Sequence, residues 1–174
     1  IFTLAHFLEI LLDQHPGRVW AFFFGLVLGS IATVSRHVST WNTAAISTAL
    51  VALVGAYLLV GASSIRTPET AWFLFLSGAL AIAAMILPGI SGAYILLLLG
   101  KYRFVLAAVN NRDMFTLAVV VAGAILGLVT FARFLSWLFS RYHNLTVAAL
   151  IGLMLGSLRK IWPWKDAVNS VDPV

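Results

Sequence analysis

The residues most able to do chemistry sit together in Leu87-Pro88-Gly89-Ile90-Ser91-Gly92-Ala93, between two apolar runs at 71–87 and 94–100. Proline lacks an amide proton and clashes with the preceding turn, and glycine is a poor helix former. Pro88, Gly89 and Gly92 therefore break a helix. If the flanks are intramembrane, the break lies at membrane depth, where bare backbone is tolerated only inside protein or beside a water-filled cavity. A helix restarting after such a break points free N–H groups into the cavity, a setting that suits an anion. Ser91 adds a hydroxyl, and the glycines let a ligand approach the backbone. Tyr94 and Tyr102 offer further hydroxyl donors. Pro88, Gly89, Ser91, Gly92 and Tyr94 are thus candidate substrate-binding residues of a transporter. The competing reading is a plain packing kink.

Two basic residues join this set. Arg133 lies inside the apolar run 116–139, and an ionisable residue within a span is a functional candidate. Snorkelling to the nearer interface is the alternative. His6 is the second. Glu9 and Asp13 follow His6 at one-turn spacing and are candidates for carrying a coupling proton, or for pairing with His6 and capping a turn. His15, His37 and His143 are single loop histidines without a second ligand at metal spacing. With no cysteine in the chain, disulfides, thiol catalysis and cysteine-based metal sites are excluded. No metal or cofactor is expected.

The elements that must position these residues are membrane helices. Of 174 residues, 61% are hydrophobic and only 10% charged, against about 25% charged in a soluble domain, and the mean hydropathy is +1.01. The net charge of +5 reads as positive-inside bias and contact with anionic lipid, not as nucleic-acid binding. The fold class expected is all-α, a polytopic transmembrane bundle forming a single membrane domain over 1–174.

Residues 1–12 would cover roughly 18 Å as a helix against about 30 Å of hydrocarbon and read as the tail of a span. Residues 13–18 read as a turn, 19–35 as a span, 36–42 as a polar loop and 43–62 as a span. Residues 63–70 form a loop, with Pro68 suited to the first turn of the next helix. The broken segment occupies 71–100, and 101–113 reads as the longest polar loop. A span at 114–139, a turn at 141–144, a last helix at 146–158 and a polar tail with the interfacial Trp162-Pro163-Trp164-Lys165 complete the chain. The pairs Gly25/Gly29, Gly123/Gly127 and Gly152/Gly156 are small-xxx-small patterns that let helices approach closely.

An internal repeat runs through this order. Residues 5–31 align without gaps on 132–158, offset by 127, with ten of 27 positions identical, including the pattern Gly-Leu-x-Leu-Gly-Ser. His6 and Arg133 are repeat partners. The same offset puts a first copy of the break upstream of Ile1, and the partner of the 43–62 span near residue 170. The chain, which lacks an initiating Met, accordingly reads as a fragment truncated at both ends. Charge tests the path of the broken segment. If it returns to the face it entered from, Arg18, Arg66, Lys101, Arg103, Arg112, Arg159, Lys160 and Lys165 share one side, against Arg36 and Arg141. If it spans, the division is seven against three. Re-entry gives the stronger positive-inside bias and makes the repeats inverted, an arrangement used by secondary transporters.

The stretch LPGISGAYILLLLGKY resembles a conserved segment of a bacterial membrane family catalogued as domain of unknown function 368, linked to undecaprenyl-phosphate translocation (PopT-type). The family carries two Pro-Gly-x-Ser-Gly segments, each followed by an apolar run and Gly-x-Tyr. Here Pro88, Gly89, Ser91, Gly92, Gly100 and Tyr102 match the second. The resemblance extends over most of the chain, including the aromatic segment at 20–26 and Gly156-Ser157-Leu158. Ala93 stands where a small polar residue or glycine is frequent, and Arg103 where an acidic residue often follows the tyrosine. The resemblance implies a multi-pass flippase of the bacterial cytoplasmic (inner) membrane that returns undecaprenyl phosphate, a polyprenyl phosphate lipid, to the inner face for cell-envelope synthesis. A homo-oligomer is compatible with this reading. Three rivals stand beside it: an intramembrane polyprenyl-pyrophosphate phosphatase, a small-anion secondary transporter and a structural membrane subunit. Hydrolysis would need a general base and, usually, metal-binding carboxylates, and none of the six acidic residues lies near Ser91 in sequence.

Overall fold

The computed structural model describes residues 16–65, 67–68 and 70–160, which fold entirely as helices and their connections. The helices are α1 (Pro16–Ser35), α2 (Thr43–Val60), α3 (Ala71–Ile86), α4 (Gly92–Leu98), α5 (Tyr102–Asn110), α6 (Met114–Arg141) and α7 (His143–Ser157). Three of the described helices, α1, α2 and α6, are long and apolar enough to cross a membrane. The bent pair α4–α5, which turns through 107°, would make a fourth if counted as one span. Helix α1 starts at proline, which suits a first helical position, so it begins inside the segment expected to be a turn. Asn42 caps α2 by accepting from the Ala45 amide at 2.8 Å. Asp113 caps α6, accepting from the Thr116 hydroxyl at 2.6 Å and its amide at 3.2 Å. These two bonds, the side-chain one foremost, hold the Asp113 carboxyl below the usual carboxylate range.

One expectation needs correction. Residues 102–110, expected within a polar loop, form α5. The charges that flank this segment disguise an amphipathic turn pattern. Phe104, Val105 and Ala108 fall on one face and are at least partly buried, while Arg103 and Leu106 stay outside.

Two close helix pairs frame the molecule. On α7, Gly152 meets Ala49 and Ala52 of α2, and Gly156 meets Leu53 and Ala56. The contact numbers rise together, so α2 and α7 run parallel. On α6, Gly123 lies against the Phe75 carbonyl of α3, and Gly127 against Ala79, so α3 and α6 are also parallel. At these four glycines an added Cβ would strike the backbone of the partner helix, with 2.6 Å to Ala79 Cα at Gly127 and 2.5 Å to the Leu53 oxygen at Gly156. Two of the three glycine pairs expected from sequence thus bring helices together. The third, Gly25/Gly29, has nothing within 4 Å among the described residues. Helix α1 is antiparallel to α7. Asn144, at the start of α7, bonds Ser39 and Thr40 just beyond the end of α1, and Val38, Val147 and Ile151 form a small core there.

These directions decide the path of the broken segment. Helices α2 and α7 finish at the end of the bundle where α1, α3 and α6 begin. Helix α3 leaves that end, breaks at 87–91, and α4 folds back along it, with Gly92 against Ala81 and Met85. The end of α4 is then tied to the segment preceding α3. The Ile65 amide donates to Leu98 at 2.8 Å, the Ser64 hydroxyl to Leu97 at 2.8 Å and the Thr67 hydroxyl to Leu99 at 2.5 Å. The segment therefore re-enters. Arg18, Lys101, Arg103, Arg112, Arg159 and Lys160 gather at this end, and Arg36 and Arg141 at the other, six against two among the described residues, with Arg133 inside α6. Outwardly the helices present large apolar side chains such as Phe22, Val51, Trp72 and Phe115, as a lipid-facing surface requires.

Two outcomes check this architecture. Because the chain has no native cysteine, single Ser64→Cys and Arg103→Cys variants should react with an impermeant maleimide from one face of the membrane and Arg36→Cys from the opposite face. Labelling of Ser64→Cys and Arg103→Cys from different faces would refute re-entry. Gly152→Ala should lower unfolding stability in detergent by roughly 1–3 kcal/mol through overpacking. Gly55→Ala, with open space around it, should be neutral or gain up to about 1 kcal/mol in helix propensity.

Candidate functional site

The break is built from local backbone chemistry. The Leu87 amide turns back to the Ala84 carbonyl at 3.1 Å and ends α3. Gly89 then takes φ +91°, a left-handed conformation that side chains other than glycine's rarely adopt. It also lies so close to α7 that a Cβ would sit 2.6 Å from the Ser157 hydroxyl. Ser91 precedes α4 in extended conformation, and its side chain makes no capping bond. The Ile95 amide closes the first turn of α4 onto the Ser91 carbonyl at 3.1 Å. Helix α4 is only seven residues long, so little macrodipole accumulates at its N-terminus. Side chains, more than helix-end amides, must supply the recognition.

Beside the break lies a cavity of about 470 Å³. Val27 of α1, Val60 at the end of α2, Ile90, Ala93 and Leu97 make its walls apolar, and Gly89, Ser91, Tyr94, Tyr102, Ser157 and Lys160 add polar atoms. Five helices and the break itself thus converge on one space. The polar groups differ in what they have left to offer. The Tyr94 hydroxyl donates to the Val60 carbonyl at 2.8 Å, with the Leu59 carbonyl at 3.1 Å, which satisfies the otherwise orphaned end of α2. The Ser157 hydroxyl donates to Met154 at 2.8 Å. The Ser91 and Tyr102 hydroxyls are exposed and enter no such bond among the described residues. The Lys160 ammonium lies 4.3 Å from the centroid of the Tyr94 ring.

Of the residues expected from sequence, Gly89, Ser91 and Tyr94 line the cavity. Pro88 and Gly92 shape the break without lining it, Gly92 being buried against α3. Arg133 is exposed on α6 and does not line the cavity. His6, Glu9 and Asp13 lie outside the described residues. Sequence reasoning passed over Ser157 and Lys160 as site residues. Ser157 carried a signal, since it belongs to the Gly-Leu-x-Leu-Gly-Ser pattern of the repeat. Lys160 looked like any positive residue at a span's end, and only the parallel seating of α7 on α2 brings it to the cavity.

The arrangement can hold an elongated amphiphile, with an anionic or polar group near Ser91, Tyr102 and Lys160 and a hydrocarbon part along the apolar walls. Comparison with known proteins agrees in kind. Over 169 aligned residues the chain is 41% identical to the polyprenyl-phosphate transporter of Vibrio cholerae serotype O1 (strain ATCC 39315 / El Tor Inaba N16961), an alignment covering 97% of this chain and 55% of that protein. It is 26% identical to the polyprenyl-phosphate transporter of Staphylococcus aureus (strain NCTC 8325 / PS 47), covering 92% of this chain and 63% of the relative. The chain thus spans somewhat over half the length of these two relatives. No solved structure gives a significant match. The VCA0040-like family model, described as undecaprenyl phosphate translocase-like, matches residues 1–173, and the chain belongs to that family.

Proposed function

We propose that this protein translocates polyprenyl phosphate, undecaprenyl phosphate in particular, across the bacterial cytoplasmic membrane, recycling the lipid carrier for cell-envelope synthesis. The observation that carries the reading is the cavity at the re-entrant break. Its walls are apolar, its polar groups cluster on the break and the end of α7, and it occurs in a translocase-like chain. A polyprenyl phosphate needs both surfaces at once. The motif around Pro88–Gly92 supports the finer likeness to the domain of unknown function 368 family.

The repeat supports an alternating-access mechanism. Helices α1 and α7 begin at residues 16 and 143, 127 apart as in the aligned segments, and they run in opposite directions. Inverted repeats of this kind let one half rock against the other around a fixed site. In the complete protein, the cavity described here would be one wall of that site. The excess of positive charge at the re-entrant end favours placing that end on the cytoplasmic side.

Full-length protein reconstituted in vesicles should move a fluorescent short-chain polyprenyl phosphate between leaflets. An unchanged distribution with and without protein would sink this reading, and release of inorganic phosphate from polyprenyl pyrophosphate would favour the phosphatase instead. Ser91→Ala should slow translocation roughly tenfold, the scale of one hydrogen bond to a charged group, at unaltered membrane abundance. Arg133→Ala, made in parallel, asks whether the exposed α6 cation serves the path. Wild-type rates in both variants would remove both residues from it.

A further inference from the structure

The bend between α4 and α5 is clasped from elsewhere in the chain. Gly100, at φ +65°, ends α4. Its amide donates to the Leu97 carbonyl at 3.0 Å and the Lys101 amide to Leu96 at 2.8 Å, a paired closure common where glycine terminates a helix. The Val105 amide then opens α5 on the Lys101 carbonyl at 2.9 Å. Lys101 thus follows one helix and begins the next, across a turn of 107°. Thr67, in the segment before α3, holds both sides of Gly100. Its hydroxyl donates to the Leu99 carbonyl, and its own carbonyl accepts from the Lys101 ammonium at 2.8 Å.

Local structure alone does not call for lysine here. N-cap positions favour Ser, Thr, Asp or Asn, and the Lys101 side chain makes no capping bond to α5. A charged amine is costly to bury, yet Lys101 is 1% exposed. What its side chain does is join elements. Besides the Thr67 carbonyl, the ammonium lies 5.8 Å from the ring centroids of both Phe73 on α3 and Phe104 on α5, within the range in which a cation is attracted to an aromatic face. The segment before α3, α3 itself and α5 therefore converge on one ammonium. The residue directly after it is Tyr102, the first of α5, which is exposed and lines the cavity beside the break.

Resting on the polyprenyl-phosphate reading above, we propose that Lys101 is a positioning residue for lipid recognition: its bond to Thr67 fixes the angle at which α5 leaves α4, and so holds the Tyr102 hydroxyl toward the phosphate in the cavity. Lys101 does not itself line the cavity, so it acts on the lipid through Tyr102. Such action has a signature. Two residues that produce one effect together are not additive, whereas a side chain needed only for general stability weakens binding equally with or without the Tyr102 hydroxyl.

The test measures binding of a short-chain polyprenyl monophosphate to purified full-length protein. Tyr102→Phe should weaken binding roughly tenfold, the scale of one hydrogen bond to a charged group. Lys101→Met keeps an unbranched side chain and loses the donor. It should weaken binding roughly threefold to tenfold in the wild-type background, bounded by the loss of that same bond, and have no further effect in the Tyr102→Phe background. If Lys101→Met fails to accumulate, Thr67→Val, which opens the other side of the clasp, makes the same comparison. Equal losses in the two backgrounds, or wild-type affinity in either single variant, overturn the assignment while leaving the substrate reading intact. A wild-type protein that does not bind the monophosphate overturns both.

Discussion

A helix that stops and turns at membrane depth strands carbonyls and amides with no water to satisfy them. Much of this structure follows from how that demand is met at the end of α2 and the end of α4. The last carbonyls of α2 receive Tyr94 and Arg159, and the segment after it bonds the end of α4 through the Ile65 amide and the Ser64 and Thr67 hydroxyls. Lys101, 1% exposed, donates to the Thr67 carbonyl at 2.8 Å, between the rings of Phe73 and Phe104. A seven-residue helix is unstable alone, and leaving such polar groups buried without partners costs about 1–3 kcal/mol each. Helix α4 therefore persists because it supplies the bonds its neighbours need. The re-entrant path and the completed ends of its neighbours are one arrangement.

The glycine contacts supply the complementary rigidity. Where α7 lies on α2 and α6 lies on α3, the missing side chains let backbones meet, and dispersion along the seam replaces the hydrophobic drive that lipid does not provide. The cavity opens where this close packing stops, between the break and the last turn of α7. Gly89 is the exception at that boundary. It combines a left-handed backbone with close contact to Ser157, so the break is pressed against α7 instead of hanging in the cavity.

Much of this was legible in the sequence. Period-independent apolar runs marked the spans, and prolines and glycines marked their ends, because those residues act through local backbone geometry. The re-entrant break and two of the glycine pairs were readable for the same reason. Helix α5 was not, since its flanking charges outweighed the short apolar face of Phe104, Val105 and Ala108. The site was only half legible. Gly89 and Ser91 announce themselves by type. The commitment of the Tyr94 hydroxyl to α2, and the arrival of Lys160 beside the Tyr94 ring, depend on contacts between residues far apart in the chain. Residue type alone could not distinguish a tyrosine that offers its proton to a ligand from one that has spent it on a neighbouring helix.

The parallel seating of α2 on α7 sets an order of events during synthesis. About eighty residues separate the end of α2 from the start of α7, so at about 5–20 residues per second α2 waits several seconds for its partner. Helix α3 waits likewise for α6. During that interval the small-residue seam of α2 faces lipid, and neither Tyr94 nor the end of α2 has its final neighbours from α7. The cavity is therefore among the last features to form, completed only when the turn carrying Arg159 and Lys160 closes against α2 and α4.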